Sequence, residues 1–115
     1  MKYLFLLWQD ESKAPKPGTP ESDAVMGAYN TFSEQAGSAG VLQGGEALLP
    51  STGGQTVRVR NGSTDAGTGP FSAGPEQLVG FYSLDCKDDA DAAAWAARIP
   101  ASATGAVEVR PIWVM

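Results

Sequence analysis

At 115 residues the chain has room for one hydrophobic core and not two. Its 43% hydrophobic and 18% charged residues are the composition of a folded domain rather than of a disordered segment. A net charge of −5, with no run of Lys or Arg, repels phosphate backbones and excludes an autonomous nucleic-acid binder. Cys86 is the only cysteine, so no intrachain disulfide forms and a reducing compartment fits. The apolar run Leu4 to Trp8 is far short of the ~20 residues that cross a bilayer. Gln9-Asp10-Glu11 follows it where a secretory signal would carry small residues. The expectation is a cytoplasmic protein with no membrane partner.

The first strand is expected over Lys2 to Gln9. Tyr3, Phe5 and Leu7 alternate with Leu4, Leu6 and Trp8, and apolar residues on both faces imply a central strand covered on both sides. Pro15, Pro17, Gly18 and Pro20 mark a loop. A helix should start near Thr19 or Ser22 and run to about Ala39, with proline and acids in its first turn. Val25, Tyr29, Phe32 and Ala36 make its apolar stripe, Gly27 suggests close packing on the sheet, and Gly40 suits the helix end.

The segments "VLQGGEALLP" and "QTVRVRN" read as two short strands joined through residues 50–54. In the second, Val57 and Val59 are expected inward and Arg58 and Arg60 outward. Asn61-Gly62 is the strongest turn signal in the chain, and "STDAGTG" continues as a loop or ragged edge strand. A strand over Leu78 to Asp85 should present Leu78, Gly80, Tyr82 and Leu84 together. Asp88 then caps a helix over Asp89 to Ile99 that Pro100 stops. The last strand, Ala106 to Val114, puts Val107, Val109 and Trp113 on one side and Glu108, Arg110 and Ile112 on the other.

Strand, helix, hairpin, strand, helix, strand is the order of a ferredoxin-like α+β domain with an inserted β-hairpin, spanning 1–115. Two helices cover one sheet face only. A second copy packed on the other face would make a homodimer, an α/β barrel built from two subunits.

Several segments occur together in one order: Gly69-Pro70-Phe71, Pro75-Glu76-Gln77-Leu78, Gly80-Phe81-Tyr82, Ala94 through Pro100, and Val107 through Pro111. With "MKYLFLLW" and "AGVLQGGEALLP" they resemble the DGPF branch of the YCII-related family over nearly the whole chain. That resemblance implies a ferredoxin-like domain that dimerises into an α/β barrel, with no established reaction. It also implies, for some members, association with alternative sigma factors. The histidine and aspartate pair of the YCII branch has no counterpart here, since the chain has no histidine. Thr68 stands where the motif has its aspartate, and Asp65 lies three residues earlier.

The Gly-Pro-Phe turn has a structural account, with Phe71 anchoring the loop on the core, and a functional one, with Thr68 and Glu76 at the lip of a pocket. Glu108 and Arg110, about 7 Å apart along one strand face, are either a polar pair inside a barrel or a solvated ion pair. Tyr82 is either a pocket phenol or core. Arg58 and Arg60 read as surface charges. Cys86 has no histidine to activate it, no metal-ligand spacing occurs, and no glycine-rich phosphate loop is present. The expected ligand site is therefore Thr68, Glu76, Tyr82, Glu108 and Arg110, with Arg110 holding an anion, and with no catalytic residue, metal or cofactor. The leading reading is a homodimer that binds a small molecule or a protein partner. The alternatives are a cofactor-free enzyme of the isomerase, dehydratase or monooxygenase kind and a regulatory module acting with a sigma factor.

Overall fold

The computed structural model describes residues 1–115. Strand β1 (Lys2–Asp10) alternates as its sequence dictates, with Tyr3, Phe5 and Leu7 buried and Leu4, Leu6 and Trp8 half-buried. Helix α1 (Pro20–Ser38) begins where Thr19 Oγ1 accepts the Ser22 amide at 3.2 Å. It ends where Gly40 takes φ +74°, a conformation that lets the Val41 amide reach back to the Ala36 carbonyl at 3.1 Å. Phe32 and Ala36 are its buried residues, while Val25 is exposed. Gly27 faces open space, so close packing on the sheet is not its role.

Strands β2 (Leu42–Ala47), β3 (Gln55–Arg60), β4 (Ser63–Thr68) and β5 (Glu76–Asp85) follow, then α2 (Asp89–Ala96), the four-residue α3 (Ala101–Thr104) and β6 (Ala106–Pro111). Asp88 caps α2 by accepting the Asp91 amide at 2.9 Å. Helix α2 is shorter than its sequence pattern: it stops at Ala96, and Ile99 is carried into the core by the turn before α3. Strand β6 likewise ends at Pro111, leaving Trp113 82% exposed.

The main sheet is fully antiparallel with the order β2-β5-β1-β6, the ferredoxin-like arrangement. Strand β2 pairs with β5, not with β3. The hairpin is instead β3–β4, a separate two-stranded sheet turned by Asn61 (φ +53°) and Gly62 (φ +79°). Val57 and Val59 each remain 57% exposed, because the hairpin leaves the body and has no inside to turn them toward.

A bulge between Leu7 and Trp8 brings Leu78 opposite Trp8. Leu78 thus joins Trp8 on one face while Gly80, Tyr82 and Leu84 lie on the other, which corrects the shared face expected for those four. The core sits between the sheet and the helices. Tyr3, Phe5, Leu7 and Leu84 pack against Phe32, Ala36, Ala92, Ala96, Ile99 and Ala101. No helix covers the opposite face, where Leu4, Leu6, Trp8, Leu78 and Phe81 are all half-exposed.

The molecule is thin, with extents of 48 × 43 × 18 Å, and exposes 7,806 Å². A compact monomer of this mass would expose about 5,900 Å². Its radius of gyration, 16.0 Å, likewise exceeds the roughly 13 Å of a compact domain of this length. No helix is long and apolar enough to cross a membrane.

Candidate functional site

A cleft beneath α1 follows from which residues are small. Across the helix side of the sheet, Leu7, Gly80 and Ala47 form one cross-strand row, and Phe5, Tyr82 and Gly45 form the next. Each row begins on β1 with a bulky side chain and ends at the β2 edge with a small one. Overhead, α1 presents Met26, Tyr29, Asn30 and Ser33. Helix and sheet therefore fail to meet there, and a space of about 360 Å³ remains. It opens along the β2 edge, where Gly45, Glu46 and Ala47 are exposed.

Glycine is required at position 45. A Cβ there would lie 2.7 Å from Tyr82 Cδ1 and 2.7 Å from the Phe81 carbonyl oxygen. The Tyr82 ring thus rests against bare backbone, and its other neighbour is Phe32, whose centroid is 5.0 Å away at 58°. Phe32 in turn meets Trp95 edge-on at 6.2 Å, and the Arg98 guanidinium covers Trp95 at 4.4 Å. Burial pushes the Tyr29 phenol above its ordinary value, and the Tyr82 phenol beside it adds to the effect.

The five residues singled out from the sequence do not converge. Tyr82 lies in the cleft. Glu108 and Arg110 occupy the opposite, uncovered face, where Glu108 accepts from Trp8 Nε1 at 3.0 Å and from the Arg110 guanidinium at 3.2 Å. Arg110 is exposed and Glu108 half-exposed, so the ion pair is in contact with solvent. Glu76 sits at the start of β5 across from Asp10, and Thr68 is exposed at the end of β4 across from Gln55. Asp65 pairs in register with Arg58, within the hairpin.

The Gly-Pro-Phe turn is tied down by backbone rather than by its phenylalanine. Gly69 adopts φ +101°, its amide donates to the Gly54 carbonyl at 2.8 Å, and its carbonyl accepts from Thr56 Oγ1 at 3.0 Å. Phe71 is 75% exposed and lies 5.1 Å from the Arg58 guanidinium, so it anchors to the hairpin and not to the core. The buried residue that holds this loop is Gln77, whose amide donates to the Ser72 and Gly74 carbonyls, each at 2.8 Å. Arg58 and Arg60 are exposed.

Cys86 is buried, and burial pushes its thiol up, with Asp91 and Asp85 adding to that, so the thiolate is disfavoured. No three His, Cys, Asp or Glu side chains are grouped to hold a metal. Of the five, Tyr82 alone lines the cleft, and the sequence reading did not anticipate a cleft beneath α1. The signal was there as small residues at positions 45, 47 and 80, which only the strand register brings side by side.

A single antiparallel ferredoxin-like sheet, helices on one side and a cleft beneath the longer of them, places the chain among small α+β proteins. A family model for the YCII-related domain matches residues 1–115, and the chain belongs to the YCII-related family. It is also 33% identical over 114 residues to an uncharacterized protein of Rhizobium meliloti (strain 1021), covering 97% of this chain and 92% of that one.

Proposed function

We propose that the protein works as a homodimer joined through the uncovered sheet face, and that each subunit binds a small molecule in the cleft beneath α1. The observation that carries the binding reading is the cleft itself. About 360 Å³, lined half by apolar side chains and furnished with Asn30, Ser33 and two tyrosines, falls within the ordinary range of ligand pockets. Burial raises the Tyr29 phenol, so it stays protonated near neutral pH and can donate a hydrogen bond to a ligand.

The dimer reading is supported by surface. Exposed area exceeds that of a compact monomer by more than the ~800 Å² each partner gives up in a stable interface. On the uncovered face the aliphatic and aromatic residues are central, with Glu108, Arg110 and Ser83 among them, the mixture of a sheet that meets another sheet.

Light scattering at micromolar concentration is expected to give twice the chain mass for the wild type and the single-chain mass for Leu6→Glu. A monomeric wild type would remove the dimer. For the cleft, Ser33→Phe is expected to fill the space from α1 and to abolish any ligand-induced rise in melting temperature while preserving the fold. A ligand response that survives the substitution would place binding elsewhere.

A further inference from the structure

We infer that the cleft beneath α1 takes an uncharged, planar aromatic molecule whose ring extends the Tyr82–Phe32–Trp95 series and whose polar substituent meets Asn30 or Ser33. This rests on the small-molecule reading above and narrows it to a chemical class.

Charge is the first constraint. None of the eleven lining residues is Lys or Arg, and the one charged residue among them, Glu46, is a carboxylate. Glu46 is cross-strand to Phe81, whose own partner Leu6 lies on the uncovered face, so its side chain belongs to the rim and not to the interior. An anion entering the cleft would lose hydration with no cation to replace it, and would approach a carboxylate at the lip. A cation would find Glu46 only at the solvated edge, where screening leaves little attraction. A neutral ligand meets neither difficulty. The anion-binding arginine expected from the sequence, Arg110, is on the far side of the sheet and contributes nothing here.

Shape is the second constraint. On the sheet side Gly80 carries no side chain, and the Tyr82 ring lies against the backbone of Gly45. A flat surface bounded by ring and peptide planes suits a flat guest. Tyr82, Phe32 and Trp95 already run as a series of tilted and edge-on rings, and the cleft lies at its Tyr82 end. A further ring there gains offset or edge contacts beyond its burial.

Polar anchoring is the third. Asn30 and Ser33 sit a turn apart on α1 and bring an amide and a hydroxyl to the same side of the cleft. They can satisfy a hydroxyl, carbonyl or ring nitrogen, which is enough to orient a small ring without a charge.

Calorimetric titration of the full chain near neutral pH with four probes tests this. The probes are 2-naphthol, 2-naphthoate, 2-naphthylmethylammonium and the saturated decahydro-2-naphthol. Naphthol is expected to bind at least tenfold more tightly than each of the other three, and its binding is expected to disappear in both Ser33→Phe and Ala47→Phe. These two variants fill the cleft from opposite walls, so a folding failure in one leaves the other to read. Tighter binding of the naphthoate or the ammonium, still lost in the filled variants, would overturn the ligand class and leave the cleft reading standing. Equal binding of the saturated alcohol would overturn the aromatic requirement. No binding by any probe, or binding that ignores both filled variants, would overturn the inference and the cleft reading together.

Discussion

Strand β1 sends Tyr3, Phe5 and Leu7 to one side of the sheet and Leu4, Leu6 and Trp8 to the other, two sets of similar bulk and polarity. The first set is at most 3% exposed, and the second stays half-exposed on every member. The strand itself does not make this difference. α1, α2 and the turn that carries Ile99 and Ala101 lie over one face, and no helix lies over the other. Apolarity in a strand therefore reports what the strand will bury against, and need not name a partner within the same chain.

Substitutions that treat the two faces alike in chemistry should separate them in energy. The largest effect is expected from Phe5→Ala, a loss of about 3–5 kcal/mol in denaturant unfolding, because its whole side chain leaves a sealed core. Leu6→Ala at concentrations low enough for a single chain should cost about 1 kcal/mol, since that residue is already part-wet. Equal losses at the two positions in dilute solution would break the comparison. Next in size, Gly45→Ala should cost about 1–3 kcal/mol by overpacking against Tyr82, whereas Gly44→Ala, which faces open space, should be nearly neutral. If the two glycines respond alike, the close approach of Tyr82 to β2 is wrong.

The smallest effect concerns the outer edge of the buried set. The Tyr3 hydroxyl donates to Asp89 Oδ1 at 2.7 Å. That bond, with burial and the charges of Asp89 and Asp88, pushes the phenol up to about 12. The folded form holds this proton more tightly than the unfolded one. The resulting stabilisation is complete below the ordinary tyrosine value of about 10 and drains away as pH rises toward about 12. Wild type should therefore lose stability over that window more steeply than Tyr3→Phe, as read by urea midpoints at successive pH values. Parallel curves would remove the Tyr3–Asp89 contact from the account.

The sequence made the order of elements, the helix caps at Thr19 and Asp88, the Asn61-Gly62 turn and the ferredoxin-like class legible, because each rests on local chemistry: a proline, an acid, a period of two or of three and four. Pairing partners were less so. β2 and β3 are neighbours in the chain and look like a hairpin, yet β2 pairs with β5 across more than thirty residues, a long-range pairing that no turn between them records. The bulge at Leu78 is invisible in an alternating pattern until its partner strand is known. The candidate site suffered most. Charged and aromatic residues draw the eye in a sequence, but the cleft is lined by the small residues Gly45, Ala47 and Gly80 and becomes visible only when the strand register sets them side by side.

The β3–β4 hairpin buries none of its side chains, and the bonds among Gly54, Thr56 and Gly69 close its own base. Its tip, Asn61-Gly62, is consequently the place where foreign sequence would disturb the domain least. A short epitope or a fluorophore-bearing cysteine grafted there would project beyond the sheet and leave both of its faces untouched. That makes the arm a ready handle for testing whether subunits meet or a guest arrives, by methods that need a reporter outside the parts being watched.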